Sequence, residues 1–297
     1  GPLLNVRTTD NRTGKTLMAN VSPITAGAGA SAAGDGSEGC GANQAFFKNT
    51  PAEINEADVP IRILEYGLAP DTAGPGKHRG GLSTTMLFQV FAPHTVLTAR
   101  NRDRSVFTPW GIAGGSASKP SQFIRNPGTD NEINLGNTDV VTANPGDVFR
   151  ITAAGGGGWG PAHERDVEAV LSDCRGGCIS VEGAEEDYGV VIHDGAVDED
   201  ATRERRRVMA AQAGNEFFGH SPGRIDFEKI WTLPLYDRLT DVLARMPVNW
   251  RFFVKHHLFA AIEALDTDEV SPDALDAALA ELLVEHPQLQ EHVVAAE

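Results

Sequence analysis

From residue 3 to about residue 151, apolar positions recur with a period near two, the spacing of strands that bury one face. Residues 59–68, 84–91, 96–99 and 148–151 are the clearest runs. Turn signals separate them: Asp71-Thr72-Ala73-Gly74-Pro75-Gly76, Asn126-Pro127-Gly128 and Asn144-Pro145-Gly146-Asp147. The chain opens on a predicted hairpin, residues 3–7 and 16–21 around a turn at 10–15, as expected of a chain that starts inside a domain.

After Trp159 the pattern takes the period of helices. Asp166 is placed to cap a short helix over 166–171, and Ser180 a second over 180–185. Residues 201–213 predict a charged helix with Arg203, Arg205, Arg206 and Arg207, read as a solvated face rather than an anion site. From Asp226 onward the chain reads as a helical tail. Residues 249–265 carry Phe252, Phe253, Leu258, Phe259 and Ile262 on one amphipathic helix. Ser271-Pro272-Asp273 starts another, with Leu275, Leu279, Leu282 and Leu283 at helical spacing. The fold class is therefore α+β: a β-rich domain with glycine-rich loops over 1–197, then a helical extension over 198–297 for packing or assembly.

Charge narrows the function classes. The 297 residues carry a net charge of −16, and a surface this acidic repels phosphate backbones and anionic headgroups. No nucleic-acid or membrane partner is expected, no apolar run approaches the ~20 residues of a membrane span, and no secretory signal opens the chain. Three cysteines, Cys40, Cys174 and Cys178, make no even framework and point to a reducing cytoplasm. Glycine stands out, with 32 residues gathered in clusters beside strand-like runs, where it permits tight turns and close backbone approach.

Candidate chemistry is sparse by spacing alone. Gly155-Gly156-Gly157-Gly158-Trp159-Gly160 follows a strand and precedes a helix, an order that can aim backbone N–H groups at an anion. It lacks the Gly-Lys-Ser/Thr of a Walker loop and the βαβ setting of a dinucleotide fingerprint. A turn for close chain packing is the equal alternative. The nine histidines show no metal-binding spacing, and neighbours such as His256 and His257 point about 100° apart on a helix. Cys174 and Cys178 have no second pair and read as small packing residues; no G-x-S-x-G elbow occurs.

The order of the loops carries more. Thr50-Pro51-Ala52-Glu53 precedes Val59-Pro60-Ile61-Arg62-Ile63, then Asp71-Thr72-Ala73-Gly74-Pro75-Gly76-Lys77-His78-Arg79-Gly80-Gly81 and Pro109-Trp110-Gly111-Ile112-Ala113-Gly114-Gly115. Pro145-Gly146-Asp147-Val148, the glycine run 155–160, His163-Glu164-Arg165-Asp166 and Asp187-Tyr188-Gly189-Val190-Val191 follow. Together, from about residue 3 to 192, these resemble the C-terminal half of the hydantoinase B/oxoprolinase family, found in ATP-dependent cyclic-amide hydrolases and related ketone carboxylases.

That resemblance implies a hetero-oligomeric enzyme. A hydantoinase A-like ATPase subunit would bind ATP and phosphorylate the substrate oxygen. A divalent metal (Zn, Mn or Mg) would stabilise the developing oxyanion. The family's metal ligands lie in its N-terminal half, which has no equivalent here, so no metal ligand is expected in this chain and a partner carrying that half is. ATP and metal would then be held mainly by partner chains. The substrate or anion loop expected here is Gly27, Gly29, Asp35 and Gly36, with Arg79 and with Gly156, Gly157, Gly158 and Trp159. Arg79 either anchors a phosphate or carboxylate or braces a turn through backbone carbonyls, and Trp110 and Trp159 either line a pocket or pack in the core. The first functional reading is a cyclic amidohydrolase subunit, inactive alone. The alternatives are a ketone carboxylase subunit, towards which Asp226-Phe227-Glu228-Lys229-Ile230-Trp231 leans by likeness, and a non-catalytic scaffold.

Overall fold

The computed structural model describes residues 3–10, 12–21, 24–40, 49–100, 104–214, 216–265, 267, 270–290 and 292. The strands β1 (Leu3–Thr9) and β2 (Thr16–Asn20) form the expected hairpin, whose turn residue Asn11 lies outside the described residues. After α1 (Ala52–Asp58) come β3 (Ile61–Leu68), β4 (Thr84–Val90), β5 (Thr95–Arg100), β6 (Gly111–Ile112), β7 (Gln122–Arg125), β8 (Ile133–Asn134), β9 (Val140–Ala143) and β10 (Val148–Thr152). They build two antiparallel sheets, ordered β2-β1-β5-β9 and β3-β4-β10-β7-β8.

Strict alternation fixes the register. In β1 every second residue is buried, so Leu4 and Val6 meet Ala99 and Leu97 of β5. In the other sheet Phe149 lies opposite Phe88, their rings 5.8 Å apart, with Phe123 at the same distance. These side chains from both sheets form one hydrophobic cluster. A register shift between Ile63 and Glu65 marks a bulge in β3, and the intervening Leu64 is exposed.

Helices follow: α2 (Val167–Arg175) and α3 (Val181–Tyr188), capped by Asp166 and Ser180 as the sequence predicts. Asp166 accepts from the Ala169 N–H and Ser180 from the Gly183 N–H. The short pair β11 (Ile192–His193) and β12 (Ala196–Val197) leads into α4 (Glu199–Gln212), and β13 (Phe218–Gly219) pairs with β6.

Two compact units result, Gly1–Ser221 and Pro222–Glu297. The first thus runs past the boundary at 197 read from the sequence. Its extra residues are tied down: the Val191 N–H donates to Thr202 Oγ1 at 3.0 Å, Arg206 donates to the Tyr188 and Arg165 carbonyls, and the Ala113 N–H to the Phe217 carbonyl. The second unit comprises α5 (Pro222–Ile230), α6 (Leu233–Arg245), α7 (Val248–Glu263) and α8 (Pro272–Glu285) around its own core, which includes Leu235, Leu258 and Leu275.

Candidate functional site: a braced carboxylate beside an open cavity

The glycine clusters meet in the first unit as extended segments that cross one another outside any regular ladder. The Gly27 N–H donates to the Ala154 carbonyl, Gly81 to Ala28, Gly156 to Gly81, Gly74 to Gly156 and Gly158 to Ser116, at 2.7–3.1 Å. Gly36 donates to the Arg79 carbonyl at 2.8 Å, and Trp159 and His78 exchange both backbone bonds at 2.9 Å. At Gly156 a Cβ would strike the Ala28 carbonyl, so only glycine lets these chains touch. Gly29 and Gly157 pass beside each other in the same crossing, where Ala30 donates to the Gly157 carbonyl. The amides of Gly27, Gly36, Gly156, Gly158 and Trp159 are therefore already paired with backbone oxygens, and an anion there would have to displace those bonds.

On this frame the charged residues converge. Asp35 Oδ1 accepts from the Arg79 backbone N–H and from Arg165 Nη1, both at 2.8 Å, while Oδ2 accepts from Arg165 Nη2 at 2.7 Å. Asp173, on α2, bridges the two guanidiniums: Oδ2 lies 2.9 Å from Arg165 Nη2 and 3.2 Å from Arg79 Nε. Arg79 also donates to Glu38 at 2.7 Å and to the Gly80 carbonyl at 2.9 Å, and the other Glu38 oxygen takes the Leu82 N–H. The bracing reading of Arg79 is seen in its bond to the Gly80 carbonyl, and its remaining donors go to carboxylates. The carboxylates are the chain's own.

Burial decides how strongly this network acts. The side chains of Arg79 and Arg165 are 5% and 6% exposed, against 35% for Asp35. Burial alone pulls the Arg79 and Arg165 guanidiniums down and the Asp35 carboxyl up. The mutual hydrogen bonds and charges outweigh it, so the arginines rise and Asp35 falls below the usual carboxylate range. Asp35 is consequently a fixed anion with one face towards solvent.

That face opens on a cavity of about 470 Å³, lined among others by Asp35, Lys77, His78, Glu164 and Arg165. Lys77 and Glu164 pair across 3.4 Å. The His78 ring lies 5.6 Å from Trp159, and its Nδ1 is 3.7 Å from Asp35 Oδ1. Among the described lining residues neither Trp110 nor Trp159 appears: Trp159 is half-buried behind His78, and Trp110 is exposed, edge-on to His220.

Of the expected loop, Asp35 and Arg79 come together, while the amides of Gly27, Gly36, Gly156, Gly158 and Trp159 are paired with backbone oxygens. Sequence reasoning missed Glu38, Asp173 and the part played by His78 and Arg165. Arg165 and His78 did stand in the ordered motifs; Asp173 lies 94 residues from Arg79 with no local signal. Cys174 and Cys178 pack against the cluster around Val170 and Tyr188, and burial pushes both thiols up. Among the described residues no group of three or more His, Cys, Asp or Glu is arranged to hold a metal ion, and the three carboxylates here are engaged by guanidiniums. A divalent metal does not fit this cluster.

The first unit thus combines two antiparallel sheets, crossing glycine segments and a braced carboxylate. The hydantoinase B/oxoprolinase family model matches residues 2–162, and the chain belongs to that family. It is 32% identical over 190 residues to the caprolactamase subunit beta of Pseudomonas jessenii, covering 62% of this chain and 32% of that one. The crystal structure of the ATP-dependent caprolactamase from the same organism matches 69% of this chain and 37% of its own, with a TM-score of 0.55 and 27% identity. The nucleotide-free acetone carboxylase structure matches 96% of this chain and 39% of its own at a TM-score of 0.60, and its 18% identity makes this a likeness of fold alone. The chain spans 28–32% of the length of three curated relatives it matches and 8–12% of the length of five others. Among the described residues no helix is long and apolar enough to cross a membrane.

Proposed function

We propose that this chain is a component of a multi-subunit, ATP-dependent enzyme that hydrolyses a cyclic amide. The observation that carries this reading is the likeness to caprolactamase, which holds in sequence and in fold. An amide resists hydrolysis because its nitrogen feeds electrons into the carbonyl. Phosphorylation of the amide oxygen by a hydantoinase A-like ATPase partner would remove that resistance, leaving a carbon open to water. ATP and a divalent metal would reside mainly on partner chains and on the family's N-terminal half. This chain would contribute the walls of a polar cavity held in shape by the Asp35–Arg165–Asp173–Arg79 network. ATP dependence and three unpaired cysteines support a cytoplasmic setting.

A ketone carboxylase subunit is the second reading. It rests on the likeness of Asp226-Phe227-Glu228-Lys229-Ile230-Trp231 to the extension of the carboxylase branch.

Intact mass and metal analysis of the natively purified assembly, followed by phosphate release with candidate substrates, tests both. ATP-dependent ring opening of lactams or hydantoins without bicarbonate is the expected result. Phosphate release that needs both a ketone and bicarbonate would replace the first reading with the second. A stable metal-free species of 31.6 kDa from the native source would leave the chain a scaffold or fragment.

A further inference from the structure

We propose that Asp35 and His78 form a recognition pair for the edge of a ring amide in the cavity of the first unit, Asp35 accepting the amide N–H and His78 donating to the amide oxygen. The proposal rests on the cyclic-amide reading above and gives that reading a place in this chain.

Asp35 is held as an acceptor. Arg165 grips both of its oxygens and the Arg79 N–H fixes one of them, so the carboxylate neither rotates freely nor takes up a proton easily. A carboxylate oxygen can accept two hydrogen bonds, and among the described residues Oδ2 takes only the one from Arg165 Nη2. One acceptor position on a partly exposed side chain therefore remains. It calls for a donor.

His78 supplies the complement. Its backbone is locked to Trp159 by both bonds of an antiparallel bridge, and its ring rests near the Trp159 indole. The 3.7 Å between its Nδ1 and Asp35 Oδ1, the oxygen that already holds two donors, is too long for a hydrogen bond, so the ring is not tied to the carboxylate whose Oδ2 has room for a donor. A neutral imidazole carries one N–H, so the ring has a donor to offer the cavity. The cavity wall thus presents an acceptor next to a donor. Lys77 and Glu164 compensate each other, so no excess of positive charge favours an anion instead.

A ring amide matches this arrangement. Ring closure holds the C–N bond cis, which points N–H and C=O to the same side. An open-chain trans amide points them apart and cannot engage both groups from one edge. A ketone has no N–H and would leave the Asp35 acceptor unpaired on desolvation.

The test is calorimetric binding of ε-caprolactam, N-methylcaprolactam and cycloheptanone to the full chain and to the assembled enzyme. These probes share ring size and differ in the donor or the amide itself. Caprolactam should bind best, with the other two about 10- to 100-fold weaker. Asp35→Asn should erase the preference over the N-methyl compound. His78→Phe keeps an aromatic ring beside Trp159 and should raise the caprolactam KM of the assembled enzyme while kcat changes much less. Equal binding of the three probes, no binding of any, or an unchanged KM in His78→Phe would overturn the pair. If the enzyme still opens lactams with ATP in that last case, the pair falls and the cyclic-amide reading stands. If the enzyme turns over only ketones with bicarbonate while the chain still ranks the probes as expected, the pair stands and the reading falls.

Discussion

Both units have a side-chain core, but the first adds a region held in a way the second lacks. In the first, segments around Gly27, Gly81 and Gly156 are joined backbone to backbone, and nothing larger than hydrogen fits where they cross. In the second, long side chains do the work: Trp231 stacks on Phe259 at 4.0 Å, Phe227 packs against both, and Leu235, Leu258, Leu275 and Leu289 are fully buried. A side-chain core tolerates loss of atoms by partial collapse. A backbone crossing tolerates no gain of atoms, because the neighbour that must move is itself hydrogen-bonded chain. The first construction fixes the backbone around the cavity, through the Gly36 bond to Arg79 and the His78–Trp159 bridge. It is also the more fragile under substitution.

The sharpest way to break this contrast is Gly156→Ala. The added methyl meets the Ala28 carbonyl, and relief requires moving a segment that also carries the bonds of Gly81 and Ser37. A loss above about 4 kcal/mol is expected, enough to abolish a cooperative transition for the first unit in denaturant unfolding. A folded variant with the wild-type midpoint would show that the crossing yields and that side chains carry this unit after all.

Arg165→Met comes next. It removes the guanidinium shared by Asp35 and Asp173 and leaves partly buried carboxylates short of a partner. The expected cost is about 3 kcal/mol, the lower end for a broken buried pair because Asp35 reaches solvent. The pH dependence sharpens the point. The folded pKa of Asp35 lies below its unfolded value, so the unfolded state binds the extra proton. Its stabilisation is present above the ordinary carboxylate range and is lost as pH falls through the lowered folded value. Arg165→Met should therefore flatten the acid limb of the stability curve, and an unchanged limb would remove Asp35 from the ledger of acid-sensitive groups.

The matching substitution in the second unit is Leu258→Ala, which should cost about 2–3 kcal/mol through lost burial and a residual cavity. Its thermal transition should remain cooperative, unlike that of Gly156→Ala. Should both behave alike, the distinction between the two cores would have no energetic content.

How much of this was legible beforehand follows the same divide. The caps at Asp166 and Ser180 and the buried spacing of Leu275, Leu279 and Leu282 were readable, because helix signals lie within a few residues of one another. The alternating strands were readable for the same reason. The glycine run at 155–160 left packing and anion binding open, since its partners are the segments near 28, 74 and 81, and no local pattern names them. Arg79 could be singled out, but not its attachment to Asp173, which a fold must bring across 94 positions. The order of the loops did reveal the family, and the family model covers that part of the chain. Order along a chain survives in sequence; contact across it does not.

The smallest effect concerns neighbouring arginines on α4, where local pattern and tertiary role part company. The charge run predicts a solvated face, and for Arg207 that holds: it pairs with Glu204 on the same exposed turn. Arg206 instead turns inward, donating to the Tyr188 carbonyl at 3.1 Å and to the Arg165 carbonyl at 2.7 Å. It thereby fastens α4 to the backbone of the residue that grips Asp35. Arg206→Ala should lower stability by about 1–2 kcal/mol, the value of charge-assisted bonds whose acceptors are left unpaired. Arg207→Ala should leave the thermal midpoint where it was, since exposed pairs of this kind contribute little. If the two variants proved equivalent, α4 would be a solvated appendage, and the compact unit would have no energetic reason to extend past residue 197 to Ser221.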